Sequence, residues 1–202
     1  MKNIQEEIKN KTMKYEQLIQ KDKTVYLEKL EEVNWFKYAD REEIISAINE
    51  TENNLMLVYV LEEFVFNEDN FDHAKSYEQF LYTFLKEFQI DYKTINASQD
   101  DNLITIAIET KKNNFEYIVD LDQTEEYFDF DLIEYFFNKE FLVKENIIER
   151  FYFLPDIDEN ISLYFTHPTI QHRAAKEGLI PTNKEFFALL DNVKDDEEDA
   201  ED

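Results

Sequence analysis

The residues able to do chemistry in this 202-residue chain are three histidines, four serines and many carboxylates, with no cysteine and one glycine. His167 and His172 stand five apart, not the i, i+4 spacing that puts two imidazoles on one helix face for zinc. His73 is isolated. All three read as structural or surface residues, with His167 placed to satisfy the start of a helix at Pro168. Ser46, Ser76, Ser98 and Ser162 carry no local triad signature. A single glycine, Gly178, rules out a phosphate-cradling P-loop, a G-x-G-x-x-G dinucleotide turn and a G-x-S-x-G nucleophile elbow. Without cysteine there is no thiol catalysis, cysteine-based zinc site or disulfide.

Carboxylates remain. Asp156, Asp158 and Asn160 imitate the opening of a calcium loop, but Ile161 replaces the glycine of position six and His167 the bidentate glutamate of position twelve, so a hairpin turn is the better reading. The pairs Asp120/Asp122 and Asp129/Asp131 are expected by chance among 47 acids. A carboxylate-based or metal-dependent hydrolase is the second alternative function; the leading expectation is a protein that is not an enzyme and holds no cofactor or metal.

The positive signal is the company the acids keep. Glu125-Glu126-Tyr127-Phe128-Asp129-Phe130-Asp131 alternates aromatic bulk with charge, and Glu62-Glu63-Phe64-Val65-Phe66-Asn67-Glu68-Asp69 does much the same. Carboxylates pair with Arg and Lys while rings add contact area and cation–π attraction, a combination suited to a basic protein surface. The expected partner-binding residues are Glu62, Glu63, Glu125, Glu126, Tyr127, Asp129 and Asp131. Phe66, Phe128 and Phe130 are expected to pack in the core between them.

Charge sets the same direction. Against 47 acids stand 21 Lys and Arg, a formal charge of −26, a field that steers cationic partners inward and repels nucleic acid and anionic membranes. Residues 1–41 are nearly neutral, with 9 basic and 8 acidic side chains, whereas residues 42–202 hold 12 basic and 39 acidic ones. The opening residues lack a signal-peptide run and no stretch is apolar enough to span a membrane, so a cytoplasmic protein is expected.

The elements that must position these residues follow from periodicity. Ile4 to Ile19 and Tyr26, Leu30 and Val33 suggest an N-terminal helical hairpin, and Asp40 with Glu43 has capping-box spacing before Ile44 and Ile48. Residues 55–60 read as a strand. Tyr77, Phe80, Leu81, Phe84, Leu85 and Phe88 trace one helix face, capped by Ser76 and Gln79. The period then falls to two: an edge strand near 92–96, then Ile104, Ile106 and Ile108 in a hairpin with Phe115, Tyr117 and Val119, turning at Asn113 and Asn114 through positive φ. Asp131 and Glu134 cap a further helix, a second hairpin spans 151–165, Pro168 opens a helix that stops at Gly178, and Thr182 caps a short last one.

The fold class is therefore α+β, an antiparallel sheet of about five strands covered by helices, ordered α-β-β-β-α-β-β-α from 76 to 178. The organisation is an N-terminal helical segment (1–50), a main domain (51–193) and an acidic tail (194–202) expected to be disordered. In topology, over about half the chain, this order resembles type III secretion chaperones, small acidic proteins that bind unfolded effector segments; the N-terminal helices depart from that pattern. The resemblance implies an effector-binding chaperone as the first alternative. The leading expectation is an acidic protein that neutralises a toxin, nuclease or other nucleic-acid-binding protein, as an immunity protein or a nucleic-acid-mimicking phage inhibitor would.

Overall fold

The computed structural model describes residues 23–52, 54–69, 71–124, 127–155 and 160–180. It is an α+β protein that divides into two compact units. Among described residues, the first holds 23–63, 153–155 and 166–180, and the second holds 64–152 and 160–165. The first arm of the expected hairpin (4–19), the helix after Thr182, the acidic tail, and Glu125, Glu126, Asp156 and Asp158 lie outside the described residues.

In the first unit, helices α1 (Lys23–Glu32) and α2 (Arg41–Glu50) are joined through a 3₁₀ turn at Trp35–Lys37. The Asp40 cap is as the spacing requires: its Oδ1 accepts the N–H groups of Glu42 at 2.8 Å and Glu43 at 3.1 Å. Tyr26 and Leu30 of the first helix, and Val33 just after it, are buried. Residues 55–60 are not a strand. They lie in a 3₁₀ helix, Asn54–Leu61, because the run has no alternation and buries Leu57, Val58, Val60 and Leu61. A later helix, Pro168–Glu177, is tied back to α1: Tyr26 donates its hydroxyl to the carbonyl of Leu179, and Arg173 donates to that of Glu32.

The second unit carries two sheets where one was expected. Strand β1 (Phe64–Asn67) pairs antiparallel with β6 (Asn160–Thr166), which is flanked on its other side by β5 (Arg150–Phe153). Strands β2 (Thr94–Asp100), β3 (Leu103–Glu109) and β4 (Asn114–Asp120) form a separate antiparallel meander. Helix α3 (Ala74–Glu87) packs on β2 and β3, and the segment Leu132–Phe141 packs beside β4. The order of elements from 74 to 177 matches the reading from sequence; the single continuous sheet does not exist. Both β2 and β4 are edges of their own sheet, so pairing ends where the tight meander ends.

Several local details differ. Helix α3 begins at Ala74 with His73 at its N-cap, so Ser76 lies inside the first turn, where its hydroxyl meets His73 Nδ1. Leu132–Phe141 is wound as a π-helix followed by a short α-turn, Leu142–Glu145, and Asp131 makes no side-chain cap bond there. The wide winding buries Leu132, Ile133, Phe136, Phe137 and Phe141 together, and it lets the Asn138 amide both donate to and accept from Phe151 at 2.9 Å, completing β5's hydrogen bonding. The β3–β4 turn uses no positive φ. Thr110 closes it, its hydroxyl accepting the N–H groups of Lys112 and Asn113. Left-handed residues sit instead at Asn34, Gln89, Asp101, Asn146 and Gly178, and after Gln89, Asn146 and Gly178 the next residue's N–H returns to a carbonyl five back, as in a Schellman closure.

A chain of ring contacts fills this unit. Phe84 sits at its centre, with centroids 5.5 Å from Phe64, 5.2 Å from Phe80, 5.3 Å from Phe137 and 4.5 Å from Phe151. Such edge-on, tilted and stacked pairs add to area burial. Replacing fully buried Phe84 with alanine is expected to lower stability by about 3–5 kcal/mol, read by urea unfolding. A loss under about 1 kcal/mol would mean the rings do not carry the core.

Candidate partner-binding surface

The acidic–aromatic segment 127–131 is held by its own residues. Phe128 is buried, its ring 4.7 Å from Phe66, 4.9 Å from Phe71 and 4.9 Å from Phe80, and its N–H donates to the carbonyl of Glu68 at 3.0 Å. Phe66 and Phe130 are half-buried against the same ring, Phe130 at 5.8 Å. One residue on, the half-buried Asp129 is fully engaged. Its Oδ2 accepts the hydroxyl of Tyr117 at 2.8 Å, its Oδ1 accepts the N–H of Asp131 at 3.0 Å, and its own N–H donates to the hydroxyl oxygen of Tyr77 at 3.2 Å.

Burial raises the Asp129 carboxyl above its ordinary value, with the bonds from Tyr117 and Asp131 opposing. Burial also raises the phenols of Tyr77 and Tyr117, which stay protonated at neutral pH. Tyr117 therefore remains a donor.

Around this anchor lies a concavity of about 510 Å³ lined by Glu68, Thr124, Tyr127, Phe128, Asp129, Phe130 and Asp131, with Gln123 at its edge. Tyr127 is 49 % exposed, and the exposed Asp131 carboxylate makes no hydrogen bond or ion pair among the described residues. Aromatic walls beside the exposed Asp131 carboxylate match the needs of a lysine ammonium or arginine guanidinium. Of the seven residues expected from sequence, Tyr127, Asp129 and Asp131 thus meet at one concavity. Glu125 and Glu126 lie outside the described residues. Glu62, exposed, and Glu63, half-buried, belong to the first unit and follow its 3₁₀ helix.

Sequence reading missed a second feature of the same unit. One face of the β2–β3–β4 sheet buries Ile95, Ile104, Ile106, Ile108, Phe115 and Val119. The opposite face carries Asp100, Leu103, Ile118 and Glu116, all exposed. The register sets Leu103 opposite Asp120 and Ile118 opposite Thr105, so the two exposed apolar side chains are diagonal neighbours. Asp120 is folded inward, accepting from Asp122 N–H and the Gln123 amide, whereas Asp100 and Glu116 have no such partner among the described residues. The alternation of Ile118 is visible in sequence, but its meaning rests on the exposure of Leu103 and Ile118, which only the fold shows.

Among the described residues no three His, Asp or Glu side chains converge as metal ligands, and no helix is long and apolar enough to cross a membrane. No known family, curated protein or solved structure matches this chain.

Because the folded carboxyl of Asp129 is raised, the native state holds more protons than the unfolded chain just above pH 3.8. Its contribution is therefore lost as pH rises through the folded value. Asp129→Asn keeps an acceptor for Tyr117 and removes that titration. Relative to this variant, wild-type stability measured by urea unfolding should fall as pH rises from the ordinary carboxyl value of 3.8 through the raised folded value. A difference that stays flat would show that Asp129 is not titrating in a desolvated site.

Proposed function

We propose that this is a non-catalytic acidic binding protein that occupies a basic surface of another protein, as an immunity protein or a nucleic-acid-mimicking inhibitor does, with a toxin, nuclease or other nucleic-acid-binding protein as the target class. The observation that carries the reading is the acid–aromatic concavity at 127–131 in a chain of net charge −26. Coulomb attraction brings a basic partner in, and short-range fit then decides retention. Asp131, Asp100 and Glu116, uncommitted among the described residues, supply steering charge; Tyr127, Leu103 and Ile118 supply apolar contacts. Asp129 positions the segment through Tyr117 and Asp131. Glu62, Glu63, Glu125 and Glu126 are proposed to add negative charge for the same partner. The site of action is proposed to be the cytoplasm.

Affinity capture from the native host at low and at high salt tests the reading. One strongly basic protein retained at low salt and released as salt rises is the expected result. Salt-insensitive capture of an unfolded effector segment would favour the chaperone function, and substrate turnover abolished by one acidic replacement would favour a hydrolase; either result overturns the proposal. With the partner in hand, Asp100→Asn, Glu116→Gln and Asp131→Asn together should slow association by about tenfold at low salt with little change in dissociation, whereas Ile118→Ser should mainly speed dissociation. Unchanged association in the triple variant would remove the steering role.

A further inference from the structure

The first unit holds an open cleft of about 740 Å³ lined by Lys37 and Arg41 and by one carboxylate, Glu31, in a chain that is strongly acidic as a whole. It is built where α1 ends, where the left-handed Asn34 reverses the chain into Trp35–Lys37, and where the Pro168–Glu177 helix begins. Phe36, Tyr38 and His167 supply half-buried rings, the Tyr38 and His167 rings lying 6.2 Å apart at 25°, and buried Ile170 contributes an apolar wall.

Two cations line it. Lys37 Nζ lies 4.9 Å from the Tyr38 ring centroid, and the Arg41 guanidinium 5.8 Å from that of Phe36. In a chain with more than two acids per base, Lys37 has no carboxylate partner among the described residues. Arg41 spends Nε and Nη2 on one oxygen of Glu31, which leaves Nη1 without a bond among the described residues. His167 Nδ1 accepts the N–H of Thr169 at 3.1 Å, so in the neutral ring the proton sits on Nε2 and that edge is a donor. Lys37 Nζ, Arg41 Nη1 and His167 Nε2 are thus donors around aromatic walls, in a volume within the range of small-molecule sites.

From the three donors and three rings we infer that this cleft binds a small, flat aromatic anion carrying one carboxylate or phosphate. The ring stacks on Phe36, Tyr38 or His167, and the anionic head pairs with Lys37 and Arg41. The inference is independent of the acid–aromatic concavity and of any protein partner. The net negative field disfavours polyanions, so a single carboxylate or phosphate head on an aromatic body is the class selected.

Trp35, the single tryptophan, is buried between two residues that line the cleft and serves as reporter. The full chain is titrated with 1-naphthoate, adenosine monophosphate, uncharged 1-naphthalenemethanol and inorganic phosphate, read by Trp35 emission and by calorimetry. Saturable binding of either aromatic anion at one site per chain, weaker binding of both controls, and about tenfold weaker binding in Lys37→Gln/Arg41→Gln are expected. Preference between the two anions identifies the head group. If the double variant fails to fold, exposed Lys37→Gln alone is read in its place and should weaken binding in the same direction. The inference is overturned if neither aromatic anion binds, if either control binds as tightly, or if the folded charge variant binds unchanged.

Discussion

Phe128 is the residue on which the acidic surface of the second unit depends. Its ring joins Phe66, Phe71 and Phe80, and its N–H is fixed by Glu68, so the chain on either side cannot swing free. Asp129 then turns inward to Tyr117 and Asp131, while Tyr127 and Asp131 are left facing solvent. A segment dense in like charge would repel itself away from a compact shape; the buried ring and the engaged carboxylate offset that repulsion. Binding that starts from a fixed surface also loses less conformational entropy than binding by a floppy one.

Much of the architecture was legible in sequence because its signals are local. The face of α3, the Asp40 cap, the alternation of Ile104, Ile106 and Ile108 with Phe115 and Val119, the Pro168 start and the Gly178 stop all follow from residue type and spacing. What failed depended on tertiary context. The apolar run 54–61 has no period to distinguish strand from helix, and burial settled it as 3₁₀. The split into two sheets was invisible because strand count does not reveal which strands pair. The turn at Asn113 was read from asparagine's tolerance of positive φ, but the Thr110 hydroxyl satisfies those N–H groups without it.

The candidate site was legible in part for the same reason. Alternating acids and rings at 125–131 flagged the segment, yet composition could not say that Asp129 is consumed internally while the Asp131 carboxylate is exposed, with no partner among the described residues. Nor could it show that Leu103 and Ile118 stand together on an open sheet face. The first unit's cleft was unmarked because its cations and rings come from positions 36–41 and 167–170, which only the fold brings side by side. Across the chain, acids are abundant and bases scarce, so a lysine over a tyrosine with no carboxylate partner among the described residues is more informative than another glutamate.

The central claim is that the concavity at 127–131 takes a cationic side chain. The direct measurement is an NMR titration with a short arginine-containing peptide, with a citrulline peptide of the same shape as control, following the aromatic resonances of Tyr127, Phe128 and Phe130. The account predicts saturable shifts at these rings with the arginine peptide, weakened by salt and absent with citrulline. Equal shifts from both peptides, or none at these rings, would contradict it.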